Sequence, residues 1–211
     1  MNLVEIKPIG HAAFLLPGAL LGQIPALLAE IKRITECSPF RKMLIRSGQM
    51  SVAMTNCGEI GWIADKQGYR YSQIDPLTQN PWPPLADWLA ILAKEAAAQV
   101  GFGGFSPNAC LINQYQAGAR LGLHVDRDEG DSTQPIVSFS LGAPAVFRWG
   151  GLKSADPIES ILLKHGDILV WGGQDRFRYH GISKVYCPDM ESGMQERFVM
   201  TFRYSRCWQV S

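Results

Sequence analysis

The spacing of apolar residues changes partway along the chain. In the first half they recur every three or four positions: Leu20, Ile24, Leu27, Leu28, Ile31 and Ile34 predict an amphipathic helix from Leu20 to about Thr35, with Lys32 and Arg33 on its wet side. Ala12 to Leu16 reads as a short strand ahead of it, turned by Pro17-Gly18. A second helix is predicted from Leu85 to Val100, with Leu85, Trp88, Leu89, Leu92 and Ala96 as its apolar face; Pro83-Pro84 precedes it and Gly101 closes it. Between the helices, residues 47–82 set Trp62, Tyr69, Tyr71 and Trp82 among the turn signals Gly58, Gly61 and Gly68, which suits a long β-hairpin or surface excursion.

After Gly103-Gly104 the period shortens. Apolar runs appear at Ala109–Asn113, Leu121–Val125, Ile136–Leu141, Ala145–Trp149, Ser160–Leu163, Ile168–Trp171, Arg178–His180 and Phe198–Tyr204, with Gly-, Pro- and Asp-containing turns between them. The fold expected is α+β: N-terminal helices, then a jelly-roll core over residues 108–205, in a single domain.

Composition narrows the class without naming a function. A chain of 211 residues with 46% hydrophobic and 18% charged residues can bury a core unaided. A net charge of +1 leaves any nucleic-acid contact to a local patch, for which Arg41, Lys42 and Arg46 are candidates beside the plainer reading of a solvated surface. Five scattered cysteines with no C-x-x-C argue against a disulfide framework or zinc knuckle and fit a reducing cytoplasm. Glu5 ahead of the Ala12–Gly22 run and Pro17 inside it argue against a signal peptide, and no uninterrupted apolar stretch reaches membrane-spanning length.

Candidate chemistry starts at His124-Val125-Asp126, an imidazole and a carboxylate two residues apart at the end of an apolar run. Alternation turns both to one face of a strand or strand end, where mixed N and O donors suit a divalent metal. An H-x-D triplet alone is weak, and a third ligand is needed. Of the other histidines, His11 lies outside the β-rich half and His165 sits in a K-H-G-D turn, whereas His180 closes a predicted strand before Gly181. Two His and one carboxylate form the facial set of non-heme Fe(II) oxygenases. A zinc hydrolase also fits, with Asp128 or Glu129 as its general base.

Arg197 and Arg203 weigh on that choice. They stand six apart in R-F-V-M-T-F-R, so the strand period directs both to one face. Inward arginines are costly unless an anion satisfies them, and a dicarboxylate would accept forked hydrogen bonds from both.

In this order, N-x-Y at Asn113–Tyr115, L-x-x-H-x-D-x-D-E at Leu121–Glu129, S-x-S-L-G at Ser138–Gly142, W-G-G at Trp171–Gly173, H-G-I at His180–Ile182 and the closing R-x-x-x-x-x-R resemble the AlkB family of Fe(II)- and 2-oxoglutarate-dependent dioxygenases. Upstream, M-S-V-A-M-T-N-C-G at Met50–Gly58, Gly61-Trp62 and Q-G-Y-x-Y-S at Gln67–Ser72 are similar to the bacterial alkylation-repair members, and the resemblance runs from about Ser38 to Arg203. It implies a double-stranded β-helix core, a nucleotide-recognition lid over residues 38–82, and Fe(II) held by His124, Asp126 and His180. It implies 2-oxoglutarate held by Arg197 and Tyr115 at the distal carboxylate, with Arg203 and Asn113 nearer the metal. Trp62, Tyr69 and Tyr71 match the lid aromatics, and Asp128 matches an acidic residue beside the target base.

The implied activity uses O2 to demethylate N-alkylated bases of the 1-methyladenine and 3-methylcytosine type in single-stranded or duplex DNA, or in RNA. Formaldehyde, succinate and CO2 are released, and the implied state is a monomer; a 2-oxoglutarate oxygenase for a non-nucleic-acid substrate is the alternative. Two positions depart from the bacterial pattern: Val199 stands in place of Asn, and Ser154 in place of Arg, while the loop at Ser47-Gly48 is a residue shorter.

Overall fold

The computed structural model describes residues 5–45, 48–185 and 196–206. Arg46 and Ser47, Cys187 and Cys207 therefore lie outside the described residues. The chain opens with two strands, β1 (Lys7–Pro8) and β2 (Ala13–Leu16), and then helix α1 (Ile24–Cys37). Four strands follow: β3 (Arg41–Ile45), β4 (Gly48–Gly58), β5 (Gly61–Asp65) and β6 (Gly68–Ser72). After helix α2 (Asp87–Gln99) come β7 (Ala109–Tyr115), β8 (Leu121–His124), β9 (Ile136–Gly142) and β10 (Ala145–Trp149). The last four are β11 (Glu159–Leu163), β12 (Ile168–Trp171), β13 (His180–Ile182) and β14 (Arg197–Arg203).

Eight strands form one sheet in the order β1-β2-β12-β9-β14-β7-β4-β3, and four form a second in the order β11-β10-β13-β8. Strand alternation assigns the two faces of the large sheet. On β14, Phe198, Met200 and Phe202 point to the side covered by both helices, joining Leu27, Ile31 and Ile34 of α1 and Leu89, Ala93 and Ala97 of α2. Val199 points to the other side, where it meets Trp149, Leu163, Trp171 and Ile182 between the sheets. The odd-numbered set that carries Val199 also carries Arg197 and Arg203, so the strand period delivers two guanidiniums into the space between the sheets.

Several expected boundaries move. Leu21–Gln23 is a 3₁₀ turn, because Pro25 at the first helical turn lacks an N–H and is best placed where α1 begins. Trp88 is partly exposed while Leu89, Ala93, Ala96 and Ala97 are buried, so α2 packs by one leucine and three alanines, letting the helix lie close to the sheet. The strand expected at Arg178–His180 runs instead from His180 to Ile182, behind a 3₁₀ helix at Gly173–Phe177.

The 47–82 excursion divides: β3 and β4 extend the large sheet through β4–β7 pairing, and β5–β6 stand apart as a two-stranded hairpin. Arg41 is mostly buried, not solvated: its guanidinium pairs with buried Asp75 at 2.8 Å and sits 5.0 Å over the Trp82 ring. Among the described residues, Cys37, Cys57 and Cys110 are free thiols. No helix among them is long and apolar enough to cross a membrane.

Candidate metal centre and its two cavities

β8 and β13 pair with His124 opposite His180, which brings the two imidazoles to a centroid separation of 4.5 Å. Gly181 permits that approach: a Cβ there would lie 2.7 Å from the Leu121 carbonyl oxygen and 2.8 Å from that of Gly122. Asp126 follows just beyond the end of β8 and completes the group. Ligand atoms of His124, Asp126 and His180 all lie within 4.8 Å of one another.

Local hydrogen bonds prepare this group as a donor set. His124 Nδ1 is 2.9 Å from the carbonyl oxygen of Gly122, and His180 Nδ1 is 3.0 Å from that of Arg178. A carbonyl only accepts, so both Nδ1 atoms carry the proton and both Nε2 lone pairs are free for a metal. Burial, and then the neighbouring His124, push His180 down to about 4, keeping it neutral. Burial pushes the Asp126 carboxyl up, but Arg203 first, then His180 and His124, outweigh it and hold the group well below the usual carboxylate range. Two imidazole nitrogens and one carboxylate oxygen are the donor set of non-heme Fe(II) sites.

A cavity of about 50 Å³ opens on one side of this group, between the sheets. Arg197 and Tyr115 are directly opposed across β14 and β7, as are Val199 and Asn113, and all four line it. Arg197 is fully buried, and it donates to two neutral oxygens, the Ala143 carbonyl and Ser140 Oγ, both at 3.0 Å. Burial pulls it down to about 10, and its Nε has no hydrogen-bond partner among the described residues. Asn113 Oδ1 is likewise unpartnered, and burial raises Tyr115 to about 12, which keeps its hydroxyl a donor. A buried cation whose hydrogen bonds go to neutral acceptors favours an anion.

Arg203 occupies the junction. It donates to Asp126 Oδ2 at 2.7 Å and approaches Glu129 at 3.3 Å. Burial lowers it, but Asp126, Tyr71 and Glu129 more than compensate, so its charge is secured.

A larger cavity of about 310 Å³ opens on the other side, lined by Trp62, Tyr69, His124, Asp126, Asp128 and Arg203 among others. Trp62 and Tyr69 stack at 5.4 Å, and the Trp62 indole donates to Asp128 at 3.0 Å. Tyr71 is placed differently: its hydroxyl turns inward and donates to Glu129 at 3.0 Å. Glu129 is thus part of a buried ion-pair cluster and not free to act as a solvent-facing base. His165 accepts a hydrogen bond from the Gly142 N–H at 2.8 Å, a structural role away from the metal group. Ser154 is exposed in a turn, whereas Val199 lines the smaller cavity. Arg176 was not singled out by the sequence, since a lone loop arginine carries no spacing signal, and Ser140 entered only within the S-x-S-L-G motif, with no role attached to it.

The sequence profile of the 2OG-Fe(II) oxygenase superfamily matches residues 13–203. The alpha-ketoglutarate-dependent dioxygenase AlkB of Salmonella typhimurium is 47% identical over 93% of this chain and 92% of its own length, and that of Escherichia coli is 45% identical over the same shares. The solved structure of OsALKBH1 superposes with a TM-score of 0.79 at 25% identity, covering 95% of this chain and 100% of that one. With a facial His-Asp-His group between an arginine-lined cavity and an aromatic-walled one, the chain belongs to the 2OG-Fe(II) oxygenase superfamily, whose members use Fe(II), 2-oxoglutarate and O2, and within it to the AlkB dioxygenases.

Proposed function

We propose that this protein oxidatively demethylates N-alkylated bases of the 1-methyladenine and 3-methylcytosine type in DNA, and in RNA, releasing formaldehyde, succinate and CO2. The observation that carries the reading is the position of the His124-Asp126-His180 group, which is shared between the two cavities through His124 and Arg203. When bound, iron supplies the redox chemistry that couples decarboxylation of 2-oxoglutarate to hydroxylation of the N-methyl carbon.

The chain's own residues supply binding and orientation. In this reading His124, Asp126 and His180 hold the metal. Arg197 and Tyr115 bind the far carboxylate of 2-oxoglutarate, and Asn113 and Arg203 face its metal-proximal end. Trp62 and Tyr69 form the wall on which a flipped base stacks. Asp128 offers a carboxylate to the cationic methylated base, and Tyr71 braces the hairpin from behind. Extruding a base costs a few kcal/mol, so single strands are expected to be the easier substrates. Action as a monomer in the cytoplasm belongs to the same proposal; five scattered cysteines with no C-x-x-C support the reducing compartment.

The test is incubation with Fe(II), 2-oxoglutarate and an oligonucleotide bearing 1-methyladenine or 3-methylcytosine, followed by mass measurement of the strand. A loss of one methylene per lesion is expected. Succinate formation with an unchanged strand would instead assign the oxygenase a substrate outside nucleic acids.

A further inference from the structure

Asp126 is a metal ligand in the reading above, yet no strand ladder holds it. β8 ends at His124, and residues 125–127 carry no regular structure. Its main chain is gripped from elsewhere: Arg176 Nη1 donates to the Asp126 carbonyl oxygen at 2.8 Å, and Nη2 donates to Glu129 Oε2 at 2.7 Å. Arg176 belongs to the 3₁₀ helix Gly173–Phe177, immediately upstream of the strand that carries His180, and it is 2% exposed.

The contacts close into a ring. Glu129 Oε1 lies 3.3 Å from Arg203 Nε, and Arg203 in turn grips the Asp126 carboxylate at 2.7 Å. Asp126 is therefore fixed at both ends, its carboxylate by Arg203 and its carbonyl by Arg176, with Glu129 tying the two guanidiniums together. Tyr71 of β6 donates to the same Glu129 oxygen at 3.0 Å, so the hairpin that walls the larger cavity also rests on the ring.

We infer that Arg176 is a positioning residue for the metal centre: it sets the main chain of Asp126 and locks the segment bearing the second ligand to the segment bearing the third. A buried ion pair contributes little net stability compared with a well-packed apolar pair, so stability alone is a poor reason for this one. A planar fork that reaches a carbonyl and a carboxylate at once is what a guanidinium offers and an ammonium does not. Residues that orient ligands from behind typically alter metal affinity or activity by about 10–100-fold when replaced.

The inference rests on the metal reading of His124, Asp126 and His180, and the test separates the two. Mn(II) binding is titrated calorimetrically for the full chain, for His124→Ala, for Arg176→Lys, and for the double variant Arg176→Met/Glu129→Gln, which removes both buried charges and so guards against simple misfolding. Melting of each metal-free protein is recorded in parallel, together with the visible ligand-field bands of the Co(II)-loaded forms.

Arg176→Lys and the double variant are expected to bind Mn(II) about tenfold or more weakly than the parent, beyond any change in melting, with shifted Co(II) bands. Wild-type affinity and unshifted bands in either folded variant would overturn the positioning role, as would a lowered melting temperature with intact affinity. If the parent binds no Mn(II), or His124→Ala binds it equally well, the metal reading itself falls.

Discussion

Arg203 donates to a single oxygen of Asp126 from both Nε, at 3.2 Å, and Nη2, at 2.7 Å. That oxygen, Oδ2, is occupied by a cation, which leaves the lone pairs of Oδ1 for a metal beside His124. The same guanidinium borders both cavities. Replacing it by Lys keeps a charge but loses the fork, so the carboxylate is freed to rotate. Arg203→Lys is expected to weaken both Fe(II) and 2-oxoglutarate binding, whereas Arg203→Met, which strands Asp126 without its guanidinium while Glu129 keeps Arg176, should also cost about 3–5 kcal/mol of stability. Denaturant unfolding and ligand titration of the two variants check this. Equal stability of Met and parent would contradict the energetic importance of the cluster.

Arg197 makes the second prediction. It is a buried guanidinium hydrogen-bonded to neutral oxygens, so an anion entering the cavity relieves a desolvation cost already present in the free protein. 2-Oxoglutarate or an unreactive dicarboxylate analogue should raise the melting temperature in step with RT ln(1 + [L]/Kd), about 2.7 kcal/mol at a hundredfold excess over Kd. Arg197→Met should abolish that shift and leave the unliganded protein folded. A shift that survives the substitution would place the anion elsewhere.

On the substrate side, the Trp62 indole both stacks on Tyr69 and holds Asp128. Trp62→Phe retains an aromatic face but loses the N–H donor, a change worth roughly 0.5–1.5 kcal/mol or about a two- to tenfold rise in KM for a methylated oligonucleotide. Trp62→Ala removes the stack as well and should cost more. Turnover of 2-oxoglutarate without oligonucleotide is expected to be the same in all three proteins. A fall in that basal turnover matching the loss in KM would show that the hairpin acts on the metal and not on the base.

Acidification supplies a fourth prediction, for the metal-free protein. Folded His180 is held at about 4, below the ordinary 6.5, by burial and the neighbouring His124, so the unfolded chain binds a proton that the folded chain refuses. The unfolded state therefore carries the excess of bound protons between those values, and stability must rise with pH across that window. The contribution is fully present above about 6.5 and is lost progressively toward 4, amounting to at most about 3 kcal/mol. Chemical denaturation from pH 4 to 7 in the presence of a chelator should show that slope, and His180→Gln should flatten it. An unchanged slope in the variant would assign the acid sensitivity to other groups.

Much of this architecture is legible in residue spacing. Helices and strands announce themselves by periods of 3.6 and 2 because each must bury one face, and the even spacing of Arg197 and Arg203 places both guanidiniums inside for the same reason. The His124-x-Asp126 pair is legible because its spacing is local. Boundaries are less so: the start of β13 at His180 depends on its pairing with β8, a contact between segments far apart in the chain.

What the sequence by itself determined, then, is the inventory of elements, the face each residue takes on its own strand, and a set of chemically suited groups in a recognisable order. Only the tertiary structure decided which of those groups meet. Pairing of β8 with β13 put His180 against His124, and pairing of β7 with β14 put Tyr115 beside Arg197. The Arg176–Glu129 pair had no signature in spacing at all, since its partners come from a 3₁₀ helix and from the segment beyond β8. Local periodicity reports which way a side chain points; only the closing of the two sheets, driven by burial of their facing apolar surfaces, reports what it finds there.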